Sequence, residues 1–239
     1  MKKILITNDD GIMADGLIRL AKCAAKFGQV YVVAPDVQRN AASHSITLRH
    51  TMDLYPVDFP VKDVIAYSCT GLPADCVRVG ILNVIKEKPD VVLSGINLGY
   101  NAASDIQYSA TCGAAFEGAF QEILSVALSE GFSDKHETTD KYLETVLAEV
   151  IEMPYVPGSI INVNFPECKI SECKGILRDR KVSVGMFYKD TYDIEETLDN
   201  GGMRIMVHGT PTYEAEEGSD FRALLDNYVS IGTVNNIGY

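Results

Sequence analysis

The residues best suited to chemistry stand close to the N-terminus, where Thr7-Asn8-Asp9-Asp10-Gly11 follows an apolar run. Adjacent carboxylates raise each other's pKa unless a cation lies between them. One reading of Asp9-Asp10 is therefore a divalent metal site. The other is a helix cap with a turn, because Asp-Gly is also a turn signal. On the pair alone the two readings balance. More oxygen-bearing residues follow other strand-like runs: Arg39-Asn40-Ala41-Ala42-Ser43-His44-Ser45 and Gly95-Ile96-Asn97-Leu98-Gly99-Tyr100-Asn101. They tip the balance toward a metal, and carboxylate, amide and water ligands suit Mg²⁺, Mn²⁺ or Ca²⁺. The His residues form no H-E-x-x-H pair, so a metal here is expected to be held by oxygen.

Ser109-Ala110-Thr111 opens a helical stretch. Alone it reads as an ordinary Ser/Thr cap. Beside a metal, its free N–H groups and hydroxyls make a phosphate cradle. Gly95 and Gly99 allow close backbone approach. His44 is read as orienting its loop in preference to acting as a catalyst. Arg39 suits a phosphate and a solvated surface equally. Tyr100 and Tyr108 are read as buried aromatics before base platforms, and Cys76 and Cys112 as core thiols.

These loops need a scaffold. Residues 3–7 form a β-branched apolar run, 15–27 carry apolar residues at helical spacing with Gly28 as a stop, and 29–34 form a second apolar strand. That is a βαβ unit, and near-continuous apolar strands imply a parallel sheet covered on both faces. Residues 41–68 read as extended pieces and loops. Helices are expected over 73–86, 111–121 and 140–151, with strands at 90–94, 125–128 and 160–164. After Pro166 the pattern changes: strands over 181–188 and 202–207 around a polar connection, an acidic loop at 213–219, a short helix at 221–227 and a last strand at 228–231. The expected fold is α/β, a Rossmann-like, doubly wound, mostly parallel sheet with a C-terminal β-hairpin extension. Residues 1–166 form the catalytic core and 167–239 the extension. Ligands of such sheets bind beyond the carboxyl ends of the strands, where the candidate residues fall.

Composition excludes several classes. The chain has 239 residues, 46% hydrophobic and 23% charged, enough for a full core. Its net charge of −12 argues against a partner of long nucleic acid, which needs clustered Lys and Arg. No apolar run approaches the ~20 residues of a membrane helix. Asn8-Asp9-Asp10 ends any signal-peptide core at once, and the six Cys include no C-x-x-C pair. A cytoplasmic protein with free thiols is expected.

Taken in order, several motifs give the chain a specific resemblance. They are Ile6-Thr7-Asn8-Asp9-Asp10-Gly11-Ile12, Val33-Ala34-Pro35-Asp36, Ser43-His44-Ser45-Ile46-Thr47-Leu48 and Pro73-Ala74-Asp75-Cys76-Val77. Further along come Ser94-Gly95-Ile96-Asn97-Leu98-Gly99-Tyr100-Asn101, Tyr108-Ser109-Ala110-Thr111, Asn162-Val163-Asn164-Phe165-Pro166 and Tyr228-Val229-Ser230-Ile231. The chain resembles the SurE family, survival-protein nucleotidases. The resemblance implies hydrolysis of nucleoside 5′- and possibly 3′-monophosphates with one divalent metal. Its ligands would be Asp9, Asp10, Asn97 and, where the family has Ser, Asn40. Asp9 would steer the attacking water. The phosphate would be held by Asn97, Ser109, Ala110 and Thr111, with Ala110 in place of a usual Gly. If that backbone needs φ > 0, Ala costs about 1 kcal/mol. The resemblance also implies a homodimer or tetramer built on C-terminal hairpins, which agrees with the apolar residues of 181–207.

Two other functions remain as alternatives. A haloacid-dehalogenase type phosphatase needs an aspartyl nucleophile where this chain has Asn8, and an amide cannot serve. A non-catalytic nucleotide-sensing module would bind without releasing phosphate.

Overall fold

A computed structural model of the chain describes residues 1–236; the end of the expected 167–239 extension lies outside the described residues. The first unit is β1 (Lys2–Thr7), α1 (Asp15–Ala24) and β2 (Gly28–Pro35). Leu17, Leu20, Ala21 and Ala24 form the buried stripe of α1, the 3- and 4-residue spacing that sets one helical face. The chain then adds β3 (Leu54–Pro56), β4 (Ile65–Cys69) and α2 (Pro73–Val79). A π-helical turn, Gly80–Ile85, prolongs α2 to Lys86, which ends it in the left-handed conformation. Next come β5 (Val91–Leu98), a 3₁₀ turn at Ala103–Gln107, α3 (Ala110–Phe120), β6 (Leu124–Glu130), α4 (Glu137–Val150) and β7 (Ser159–Phe165).

One nine-stranded sheet runs through the molecule in the order β3-β4-β2-β1-β5-β6-β7-β11-β8. Here β8 is Ile176–Leu177 and β11 is Val229–Asn235. From β4 through β7 the neighbours are parallel; β3 and β11 join antiparallel to β4 and β7. The sheet is therefore not complete at Pro166, because residues from beyond that point supply two strands. The chain leaves β1 for β2 on one side and later returns to lay β5 on the other. That reversal opens a crevice above β1 and β5. Helices α1 and α4 cover one face, and α2 and α3 the other. α3 is buried along almost its whole length. Its Ala and Gly residues are what such burial permits: a Cβ on Gly113 would lie 2.4 Å from the Ser43 carbonyl oxygen.

The strand expected over 202–207 lies within the arm's second strand, whereas the one expected over 181–188 is displaced. The arm consists of β9 (Tyr188–Thr197) and β10 (Met203–Pro211), paired only with each other. Residues 181–187 form its root. There Asp220 Oδ1 accepts the Ser183 N–H at 2.9 Å, Glu216 Oε1 accepts the Val184 N–H at 2.8 Å, and Phe187 stacks on Phe221. The stretch read as a polar connection is thus mostly strand. β9 carries only Tyr188, Tyr192 and Ile194 as large apolar residues, too few to mark a strand by alternation. α5 (Asp220–Leu225) then leads into β11.

Candidate active site

β1 ends at Thr7, opposite Ser94 of β5 in register. Beyond it the chain turns sharply. Asn8 closes the turn with both ends of its amide: Nδ2 donates to the Gly11 carbonyl at 3.0 Å, and Oδ1 accepts the Gly11 N–H at 3.3 Å. The amide offers a donor and an acceptor on separate atoms, and Asn8 uses both to shape the loop. The Arg39 N–H donates to the Asp9 carbonyl at 2.7 Å, tying this turn to the loop after β2.

Asp9 is buried, and its Oδ1 accepts the Thr111 hydroxyl at 2.6 Å. Burial pushes its carboxyl up to about 7; the Thr111 hydrogen bond works against that rise, and the neighbouring Asp10 adds to it. Asp10 is also raised by burial, opposed by the Leu98 N–H and by Gln38, whose Nε2 donates to it at 3.3 Å. Across the crevice, Asn97 Nδ2 donates to the Gly99 carbonyl at 2.8 Å. With the nitrogen engaged, the oxygen is the end of that amide open to a ligand.

Asp9, Asn40, Asn97 and Ser109 line one cleft of about 340 Å³. Asp10 lines a larger neighbouring cavity, and Leu98 borders both. Thr111 and Ala110 are fully buried behind the cleft. The Thr111 hydroxyl is committed to Asp9, and Ser109 Oγ accepts the Cys112 N–H at 3.0 Å as a helix cap. What the start of α3 offers an anion is its first amides, which have no partner one turn back in the helix. Ala110 is the first residue of that helix and not one of the positive-φ residues, so the strain expected of an Ala there does not arise.

Among the described residues no three His, Cys, Asp or Glu side chains gather as a metal cluster. A cation here would depend on two carboxylates joined by amide oxygens. The donors fit one: all are hard oxygens, and Asp9 is a carboxylate whose charge is penalised by burial until a cation offsets it. His44 turns away from the cleft. Its Nε2 lies 3.0 Å from Glu117 Oε2, and its ring stacks on Phe120. Arg39 is held by Asp36 and the Thr70 carbonyl.

Several cleft residues were given no individual role by the sequence. Asn101, Ser104 and Asp105 line it from the loop after β5, and Met186, Tyr188 and Asp190 from the base of the arm. Asn101 is fixed by a buried amide network: Asn162 and Asn164 both donate to its carbonyl, and its Nδ2 donates to Ser129 Oγ at 2.7 Å. The signal was present in Asn162 and Asn164, two polar side chains on one face of an apolar strand.

The sequence pattern of the family described as Survival protein SurE matches residues 4–184. The chain belongs to the SurE family. Similar relatives include the 5′-nucleotidase SurE of Alkaliphilus metalliredigens, 36% identical over 98% of this chain and 92% of that protein. The 5′-nucleotidase SurE of Thermosipho melanesiensis is 35% identical over 97% of this chain and 91% of that protein. The crystal structure of SurE protein from Aquifex aeolicus superposes with a TM-score of 0.82 at 31% identity, covering 98% of this chain and 93% of that one. The SurE match thus spans the crevice, Asp9-Asp10 and Asn97.

Proposed function

We propose that this protein hydrolyses nucleoside 5′-monophosphates to nucleoside and phosphate. The observation that carries the reading is buried Asp9 lining one cleft of the sheet's crevice with Asn97, with Asp10 beside it on the neighbouring cavity; the SurE relatives, named as 5′-nucleotidases, supply the substrate class. Asp9, Asp10, Asn97 and Asn40 would hold one divalent cation, Mg²⁺ or Mn²⁺ before Ca²⁺. A cation so held supplies charge neutralisation for the phosphate and a more acidic water.

The chain's own groups do the rest. Asp9 orients the attacking water and takes its proton. Thr111 holds Asp9 in place through its hydroxyl. The first amides of α3, beside Ser109, face the phosphate oxygens as negative charge grows on them. Asn97 keeps its oxygen toward the cleft because Gly99 fixes its nitrogen. No aspartyl-phosphate forms at Asn8, whose amide is consumed in the turn. The same reading includes a homodimer or larger assembly built through the exposed arm.

Phosphate release from AMP tests the proposal. Activity should vanish on chelation and return with Mn²⁺ or Mg²⁺. Turnover in ¹⁸O-water should label only the released phosphate. Full activity of Asp10→Ala in metal-free buffer, or a phosphorylated Asp9 or Asp10 trapped during turnover, would overturn it.

A further inference from the structure

The cysteines are free thiols, and they divide by depth: Cys23, Cys69, Cys76 and Cys112 are buried, whereas Cys168 and Cys173 are half-buried. These two belong to the connection from β7 to β8, which curls against the start of α4. Within it the Lys169 carbonyl accepts the Glu172 N–H at 2.9 Å and the Cys173 N–H at 3.2 Å. One closed turn of backbone therefore lies between the two cysteines.

Both pack on the same face of α4. Thr138 Oγ1 donates to the Cys168 carbonyl at 2.9 Å and lies 3.7 Å from its Sγ. One helical turn on, the Tyr142 hydroxyl is hydrogen-bonded to Cys173. Positions four apart share a helix face, so the sulfurs sit side by side, and the Cys168 thiol is hydrogen-bonded to that of Cys173. A disulfide needs Cα atoms within about 7 Å of each other, and a single turn held against one helix face brings its two ends together in this way.

Access separates this pair from the chain's other neighbouring thiols. Cys69 is hydrogen-bonded to Cys76, but they are 1% and 0% exposed, which closes them to an oxidant in the folded chain. Cys168 instead lines a surface cavity of about 240 Å³, beside Lys135, Lys169 and Glu172.

We propose that Cys168 and Cys173 are a redox modification site, a dithiol that a low-molecular-weight disulfide converts to an intramolecular disulfide. The Cys168 thiolate attacks one sulfur of the oxidant, whose S–S bond breaks and whose other half leaves as a thiolate. The Cys173 thiolate then attacks the Cys168 sulfur of this mixed disulfide and expels the second half. The two cysteines give up two protons and two electrons, and the oxidant is reduced to two thiols. Burial pushes the Cys168 thiol up, and Thr138 works against that rise, so the exchange quickens in alkaline solution as thiolate forms. The cross-link ties the residues next to Glu167, whose N–H donates to the Tyr100 hydroxyl at the cleft wall. The site stands or falls independently of the nucleotidase reading.

Glutathione disulfide, added to the full folded chain at about pH 8.5, is the probe. Free thiols counted after denaturation should fall from six to four. The mass should drop by about 2 Da, with peptides carrying 168 and 173 joined, and dithiothreitol should reverse both changes. Cys173→Ser lacks the resolving thiol and should instead retain one glutathione on Cys168, a gain of about 305 Da. Six thiols that persist through the exposure would overturn the site. So would a cross-link mapped to 69 and 76, or glutathione that stays on Cys168 of the parent chain without cross-linking.

Discussion

The crevice end of the sheet and the arm are built on opposite principles. Around Asp9, buried polar groups fix one another: Thr111 and Asp9, Asn8 and Gly11, Asn101 with Asn162 and Asn164. Along β9 and β10 every residue is exposed, including Tyr192, Ile194, Met203, Ile205, Met206 and Val207. The first region holds its geometry from within the chain, because unpaired buried polar groups are costly. The second has no core, and a two-stranded ribbon is marginal alone in water. The difference teaches that one end pairs its polar groups within the chain while the other leaves its apolar side chains uncovered.

The strongest way to break this contrast is at Asp9. Asp9→Ala should reduce kcat for AMP by about 1,000-fold or more, with secondary structure unchanged by circular dichroism, because it removes the group proposed to position water and cation. An equally large loss from Tyr192→Ala, on the arm, would show that the two regions are not separable in this way.

Two glycines sharpen the contrast in stability. Gly95 sits at φ +142°, and a Cβ there would lie 2.2 Å from the Leu128 carbonyl oxygen. Gly201, in the arm's turn, has φ +79° and nothing within 4 Å of the added atom. Gly95→Ala combines backbone strain with a clash against a neighbouring strand and should destabilise by roughly 3 kcal/mol or more. Gly201→Ala carries the backbone term alone, about 1 kcal/mol. Denaturant melts of both variants measure the gap; similar midpoints would mean that the crevice is less rigid than its packing indicates.

What could be read from the sequence divides along the same line. β1, α1 and β2 were legible because burial on one or both faces writes a period into the chain. The place of Asp9 and Asn97 on one cleft was legible because polar residues stood where apolar strands ended, while Asp10 lines the neighbouring cavity. β9 was not, since nothing buries either of its faces, and with it went Tyr188 and Asp190 of the cleft. The partner of the Thr111 hydroxyl was equally hidden: Asp9 lies 102 positions away, and only the strand order brings them together. Asn40 was placed by resemblance alone, and the structure sets its exposed side chain at the cleft's rim.

Removing the arm tests the other half of the comparison. Replacing residues 191–208 with a short turn spares the root at 181–187, which packs against α5, and Tyr188 and Asp190 at the cleft. Light scattering at micromolar concentration should show the full chain as a dimer or larger and the shortened chain as a monomer. Activity per chain should stay within about three-fold, because the arm beyond its base contributes no buried group to the site. A shortened chain that remains dimeric would place the contact elsewhere.

The smallest effect is expected at Asn40, where the two principles meet. This residue lines the cleft with buried Asp9 yet is exposed like the arm. Neighbouring backbone fixes it more than packing does: Arg39 is tied to Asp9, and Ala41 holds a left-handed φ of 53°. Its side chain can therefore change without disturbing the core. Asn40→Ser keeps a hard oxygen on a shorter stem, so Mn²⁺ affinity by titration calorimetry should move by no more than about five-fold, with any preference between Mn²⁺ and Mg²⁺ shifting alongside. Asn40→Leu keeps the size and removes the oxygen, and should weaken Mn²⁺ binding by about ten-fold. Equal affinity in Asn40→Leu and the parent would show that Asn40 is rim and not ligand, leaving Asp9, Asp10 and Asn97 to hold the cation with water.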